Sequence, residues 1–568
     1  MDDEDPRQLD ARRGHSVAYR GRTLLSLIDP ITGADRVAST APIFERTLYF
    51  CPSPLFGYGL HTLLDRMAPG SAIFCVEADP KLMKLGLVSF EPQLLEDSRF
   101  RFLCTNDAAT ACAYLRKEFG PRRFRRVVSV RLSGGFGLFS NIYDGIEEAL
   151  RSDIGLDWSN AMTLVKLGKR YALNAFRNLS RLPYSKPLEK VWFGPAPILV
   201  LGAGPSLDHA LEGLMPSGKR NYRILCVDTA LIPLMQRGIK PDLVVALEAQ
   251  QWNLRDFVGI SSEESLSLAW DLCCLPATSQ ACGNDSYLFS VRWTALRILD
   301  RMDAAGLKIS PMPALGSVGL TAVSLALSSG TGPVLVAGLD FAFTPGSYHA
   351  RSSPSRLDRL FTTTRLRSLV DMAPAVRKGV VRLPGKNNTV VYSDPALQNY
   401  RNLFQREFGS EQRLLDVGSF GLDLGIPHIG VTQARVILDS CTWMGTEPTR
   451  MELHSTERAS LKGTRNDVVA ELGTTKSFIE GELKMLGLLR DILTGRNPAP
   501  EAGLTERLVD DCDYLWAHFP ECAAAEGSRP PLSDLSFIKR VRAEIDPFMK
   551  AFNIGLAELE RTITRPSS

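Results

Sequence analysis

From Arg46 to Pro80 the apolar and polar positions follow a definite order. An apolar run at Thr47 to Phe50 leads to a turn bearing Gly57 and Gly59, then a helical stretch, then a second apolar run, Ala72 to Val76, that stops at Glu77. Strand, glycine turn, helix, strand and acid is a Rossmann-like order. The acid falls about 20 residues beyond the glycines, where such folds hold a ribose hydroxyl. Gly57-Tyr58-Gly59 lacks the third glycine of G-x-G-x-x-G, so the pattern predicts a degenerate or purely structural domain rather than a working cofactor site. Val127 to Val130 reads as a later strand of the same sheet.

Between Asn178 and Pro197 the periodicity is interrupted by Pro183, Pro187, Pro195 and Pro197, which marks a domain connection. A second α/β pattern starts at once: Ile198 to Leu201 as a buried strand, Gly202-Ala203-Gly204-Pro205-Ser206 as a tight turn, and a helix from Leu207. Strands follow at Arg223 to Val227, Leu243 to Leu247 and Pro333 to Ala337, with helical stretches between them. Such alternation predicts a parallel, doubly wound sheet. The pattern ends near Gly430. Beyond Val431, apolar spacing of three and four over Thr456 to Thr494 and Leu504 to Phe519 predicts helices, broken once at Arg496-Asn497-Pro498-Ala499-Pro500. The expected fold class is α/β in three parts: a Rossmann-like N-terminal domain (1–180), a central doubly wound parallel-sheet domain (181–430) and a helical C-terminal domain (431–568).

Composition narrows this picture. A chain of 568 residues exceeds what one core supports, and 44% hydrophobic with 23% charged residues is ordinary for a folded globular protein. The formal net charge of +3 gives no field suited to a polyanion, so nucleic acid is not an expected partner. The densest basic stretch, Arg122, Arg123, Arg125 and Arg126, reads as a solvated loop feeding a strand. Eleven cysteines without a C-x-x-C pair, Cys273 and Cys274 adjacent, have spacing for neither a zinc site nor a disulfide framework. The acidic start Met-Asp-Asp-Glu-Asp and the lack of an apolar run near the ~20 residues of a membrane span lead to the expectation of a cytoplasmic protein.

The residues with chemical promise gather at the predicted C-terminal ends of the central strands, where ligands of open parallel sheets bind. A glycine turn at Gly202 to Ser206 lets backbone approach a phosphate, and a helix N-terminus adds unpaired N–H groups. Ser206 serves equally as helix cap or anion contact. Asp228 and Thr229 end one strand, Glu248 and Gln250 the next. Ser317 precedes a helix of small residues, and the strand after it ends in Gly338-Leu339-Asp340-Phe341. His349 follows in the loop Thr344 to Ser355, and an imidazole is suited to taking a proton from an acceptor hydroxyl. No D-x-D metal motif occurs in the sheet region; Asp511-Cys512-Asp513 matches the pattern but falls in the helical tail.

The order GAGPSLD, VDTAL, GIKPDLVVALE, GSVGLTAVSLAL and VLVAGLDFAF with a nearby histidine resembles the motility accessory factor family, which glycosylates flagellin with pseudaminic or legionaminic acid. The central motifs are also similar to bacterial CMP-sialic-acid-dependent sialyltransferases. The resemblance covers roughly Phe50 to Gly430. It implies a sialyltransferase-like central domain and a glycosyltransferase that takes a CMP-activated nonulosonic acid, with flagellin as acceptor and no metal or other cofactor. It places Gly202, Gly204, Pro205 and Ser206 at the nucleotide phosphate, Asp228 and Thr229 at base, ribose or sugar, and Ser317, Gly338 and Asp340 in the pocket, Asp340 hydrogen-bonded to the nucleotide. His349, with Tyr348 beside it, is the implied base, and Asp340 is the second residue given a catalytic role. Glu248 stands where many relatives have aspartate. The same core occurs in archaeal 6-hydroxymethylpterin pyrophosphokinases, which use ATP and Mg²⁺, and a non-catalytic flagellin-binding protein is the third reading.

Overall fold

The computed structural model describes residues 5–120, 122–214, 220–260, 266–281, 286–293, 296–368, 370–440, 465–496, 500–523 and 529–564. The chain divides into two compact units, 1–166 with 519–529 and 167–518 with 530–568. The division falls inside the long helix Ser140–Asn178, and the later helices cluster with the second sheet instead of standing as a third domain.

In the first unit, β1 (Thr47–Pro52), β2 (Ala72–Glu77), β3 (Phe100–Cys104) and β4 (Arg126–Ser129) form a parallel sheet in the order β3-β2-β1-β4. Every residue of β1 and β2 is buried, as expected of strands covered on both faces. Side chains alternate across the sheet. Leu48, Phe50, Phe74 and Val76 pack with Leu115 and Ile146 on one face; Tyr49, Cys51, Ile73 and Cys75 pack with Leu60 and Leu63 on the other. This is the Rossmann-like arrangement expected from the apolar runs.

The second unit is built on β5 (Ile198–Leu201), β6 (Arg223–Val227), β7 (Leu243–Ala246), β8 (Leu268–Asp271), β9 (Ser286–Val291), β10 (Ser310–Met312), β11 (Val334–Ala337), β12 (Val381–Pro384), β13 (Val390–Ser393) and β14 (Leu414–Asp416). β12 and β13 make an antiparallel hairpin. The others form one parallel sheet, β10-β9-β8-β7-β6-β5-β11-β14, to which the short strand Lys186–Pro187 adds beside β9. The chain leaves β5 in one direction as far as β10, then returns to the other side of β5 as β11. The gap between the ends of β5 and β11 is therefore the topological switch point, where open α/β sheets bind ligands.

Helices α1 (Ser206–Leu214), α2 (Asp228–Met235), α3 (Val318–Ser328) and α4 (Pro354–Phe361) lie around this sheet. The C-terminal region supplies α5 (Arg465–Leu493) and α6 (Leu535–Thr564), which pack on each other. Phe176 anchors them: its ring stacks on Phe552 at 4.2 Å and meets Tyr514 edge-on at 4.8 Å. Arg301 adds a bidentate pair to the buried Glu482 at 2.8 and 2.9 Å. The helical expectation for 456–464 and the break at 497–499 lie outside the described residues. Among the described residues no helix is long and apolar enough to cross a membrane.

Candidate functional site

The first unit offers little for a ligand at its acid. Glu77 is buried and already receives the Ser53 hydroxyl at 2.8 Å, the Tyr143 hydroxyl at 2.8 Å and the Asp79 N–H at 3.1 Å. Its carboxylate is thus spent on holding the loops that follow β1 and β2, in line with a structural domain. Burial raises its pKa, and these hydrogen bonds oppose the rise.

In the second unit β5 runs into Gly202, whose N–H donates to Ala337 O at 2.8 Å, and Gly204 N–H donates to Gly338 O at 2.8 Å. The two strand ends pass so closely that a Cβ on Gly202 would collide with the Gly338 carbonyl, and one on Gly204 would lie 2.5 Å from Asp340 Oδ2. Ser206 then clasps the next loop. Its N–H donates to Asp340 Oδ2 at 2.7 Å, its hydroxyl donates to Asp340 Oδ1, and the hydroxyl accepts from Gly338 N–H at 3.0 Å.

This changes the expected role of the turn. The N–H groups of Gly202, Gly204, Ser206 and Leu207 are all consumed within the protein, and Pro205 has none. The glycines serve a close passage of backbone, and Ser206 with Asp340 locks it, so most of the turn's N–H donors are committed within the protein. Burial pushes the Asp340 carboxyl up to about 6, against the Ser206 hydrogen bonds and the nearby Lys386 charge, with Asp416 adding to the rise.

The open helix end is elsewhere. Ser317 occupies the N-cap of α3 with extended backbone but makes no side-chain cap hydrogen bond. The N–H groups of Val318 and Gly319 have no acceptor among the described residues. Ser317, Val318 and Gly319 face a cavity of about 170 Å³ at the switch point. A helix end of this kind presents donors and a partial positive charge to an anion.

The same cavity takes in Gly202, Gly204, Thr229, Gly338, Asp340, Tyr348 and His349 from the residues expected on sequence, together with Ala203 and Phe341, which sequence reasoning passed over. The His349 loop is tied back to the glycine turn by Ala350 N–H donating to Ala203 O at 2.9 Å. Tyr348 packs on Phe343 at 4.7 Å and on His349 at 4.9 Å. The His349 pKa is lowered to about 4, mainly by burial, with the Arg359 and Arg255 charges adding to the fall and a hydrogen bond with the Ala203 backbone opposing it. The imidazole is therefore neutral at neutral pH, the form that accepts a proton.

Pro205, Ser206, Asp228, Glu248 and Gln250 do not line the cavity. Asp228 is buried, with Oδ1 accepting from Thr229 N–H at 2.8 Å and Oδ2 without a partner among the described residues. Burial holds its proton well above the usual carboxylate range, and the charges of Asp256 and Glu248 add to this. Asp256, missed in the sequence, is pushed up to about 6 mainly by burial. Beneath the clasp a second unforeseen pair, Lys386 and Asp416, meets at 2.6 Å, both nearly buried. The Asp511-Cys512-Asp513 match is structural: Asp513 accepts from Arg297 N–H at 3.0 Å. Among the described residues no three His, Cys, Asp or Glu side chains are grouped to hold a metal ion.

Residues 169–346 match the family model of 6-hydroxymethylpterin diphosphokinase MptE-like proteins. Over 561 residues, 96% of this chain and 94% of the relative, the sequence is 30% identical to an uncharacterized protein of Treponema pallidum (strain Nichols). The chain belongs to the same family as that treponemal protein. Among solved structures, the family fold is similar to a Maf glycosyltransferase from Magnetospirillum magneticum AMB-1, with a TM-score of 0.52, 13% identity, and coverage of 100% of this chain and 94% of the other. The MptE-like segment and this shared fold agree with the resemblance read from the motifs.

Proposed function

We propose that the chain is a glycosyltransferase that moves a sialic-acid-like nonulosonic acid, of pseudaminic or legionaminic type, from a CMP-activated donor to a serine or threonine hydroxyl of flagellin in the cytoplasm. One observation carries this reading: the open N-terminus of α3 and the neutral His349 share a single cavity at the carboxyl edge of the sheet. The likeness in fold to a Maf glycosyltransferase supports it.

In this reading the donor phosphate sits against the N–H groups of Val318 and Gly319 and the Ser317 hydroxyl. His349 takes the proton of the acceptor hydroxyl as its oxygen bonds to the anomeric carbon, and the bond from that carbon to the phosphate oxygen breaks. CMP leaves with the electron pair, stabilised by the α3 end as charge grows on the phosphate. The anionic donor also raises the proton affinity of the adjacent imidazole, which burial and the Arg359 and Arg255 charges hold low. Asp340 acts as a positioning residue, because Ser206 occupies both of its oxygens. No further cofactor enters the scheme.

Intact-mass analysis of flagellin from cells carrying wild type, H349A or a deletion tests the proposal. Loss of the sugar mass in both altered strains is expected; an unchanged mass in the deletion strain would remove the enzyme reading. The MptE-like match favours a second reading, pyrophosphate transfer from ATP to a hydroxymethylpterin. Melting with CMP against ATP and Mg²⁺ separates the two, since only the ligand that binds the folded chain raises the melting temperature. A shift with neither, with tail-dependent binding of flagellin, would leave a non-catalytic flagellin-binding protein.

A further inference from the structure

Just outside the lining of the cavity, α4 and the segment Gln251–Phe257 bring three arginines to the His349 loop. Arg356 Nη1 reaches the His349 carbonyl at 3.5 Å, and the Arg359 guanidinium lies 4.8 Å from the centre of the Tyr348 ring. Arg255 meets one carboxylate, the half-exposed Asp358, at 3.5 Å; Arg356 meets none within 4.0 Å among the described residues. The Nε atoms of Arg255 and Arg356 are both buried without an acceptor among the described residues. A buried guanidinium N–H left unpaired is costly, and positive charge beside a base opposes its protonation. The depressed pKa of His349, to which Arg359 and Arg255 contribute, agrees with their position. Unpaired N–H donors and positive charge at one place are matched by an anion.

We infer that Arg255 and Arg356 form a carboxylate subsite that selects donors carrying a carboxylate on the reacting carbon over neutral sugar donors. The inference rests on the donor reading above and names the residues that would enforce it. In an ulosonic acid the carboxylate is bonded directly to the anomeric carbon, the atom the acceptor hydroxyl attacks. If His349 is within hydrogen-bond reach of that hydroxyl, the carboxylate falls within a few bond lengths of His349, on the loop that Arg356 meets at the His349 carbonyl and that Arg255 flanks through Asp358 of α4. An aldose has hydrogen at that position and offers the arginines nothing. The planar guanidinium fork fits a carboxylate in two parallel hydrogen bonds, which a lysine ammonium does not reproduce.

Calorimetric titration of the full chain with CMP, with CMP–N-acetylneuraminic acid and with CDP tests this. R255Q and R356Q are expected to weaken CMP–N-acetylneuraminic acid by about tenfold or more while changing CMP by no more than about twofold, the size of losing a charge-assisted hydrogen bond. R356K, which keeps the charge and loses the fork, should recover only part of the loss. Retained CMP binding also reports that each variant is folded. Equal loss of CMP and the acidic sugar nucleotide, or no loss of either, overturns the subsite. If the variants weaken CDP as much as the acidic sugar nucleotide, the arginines take a second phosphate and the carboxylate assignment falls. If wild type binds neither CMP nor its sialic-acid derivative, the donor reading itself fails, and that result appears before any variant is made.

Discussion

Removing the Asp340 carboxyl should open the ligand edge of the sheet, and the size of the effect should depend on pH. In D340A the Ser206 N–H and hydroxyl both lose their acceptor in a buried place. At roughly 1–3 kcal/mol for a buried group left unpaired, the local cost is about 3 kcal/mol. D340N keeps an acceptor for the N–H and should cost about half as much. The Asp340 proton is bound more tightly in the folded chain, its pKa raised from 3.8 to about 6. Its stabilising contribution is therefore complete below pH 3.8 and lost as pH rises through about 6. Between pH 7 and pH 5 the wild-type clasp gains about 1.3 kcal/mol, and neither variant shares that gain. Because two units need not unfold together, the suitable assay is hydrogen exchange over peptides covering 198–214 and 334–342, corrected for intrinsic rates. The protection lost in D340A should be about a hundredfold at pH 7 and about tenfold more at pH 5. Equal protection in D340N and D340A, or a loss independent of pH, would refute the clasp as described.

Three further outcomes are expected. His349 should titrate near pH 4 by NMR in the free chain, so that stability from this group is present above pH 6.5 and lost as pH falls toward 4; titration near 6.5 would deny its burial beside the arginines. G202A forces a Cβ against the Gly338 carbonyl and Leu339, and should destabilise the second unit by about 3 kcal/mol in denaturant unfolding, whereas a change below about 0.5 kcal/mol would show that the strand ends do not pass so closely. Y143F removes a donor from Glu77 and the acceptor of Ala78 N–H, and should destabilise the first unit by about 2 kcal/mol in thermal unfolding; no change in melting temperature would contradict the structural role of Glu77.

Much of the scaffold was legible because buried parallel strands are continuous apolar runs closed by glycine or acid, as in Ile198 to Ser206 and Pro333 to Asp340. Strands β8, β9 and β10 escaped because Leu268–Asp271, Ser286–Val291 and Ser310–Met312 set polar residues or proline among their apolar positions, where the recognised strands are continuous apolar runs. The need for glycine at 202 and 204 was visible, but not its cause, since a ligand and a neighbouring strand end demand the same absence of a Cβ. Ser206 and Asp340 were both singled out, yet their pairing depends on a contact across 134 positions of sequence. Lys386 with Asp416, Asp256 near Asp228, and the arginines at the His349 loop carry no local motif; only the folded sheet edge assembles them.

The phosphate position in a crystal of the full chain grown with CMP tests the central claim most directly. Phosphate oxygens within hydrogen-bond distance of the Val318 and Gly319 N–H groups, with the rest of the nucleotide in the cavity beside Thr229 and Asp340, are the expected result. A phosphate bound at the Glu77 end of the first unit, or an empty switch point at saturating CMP, would contradict the account.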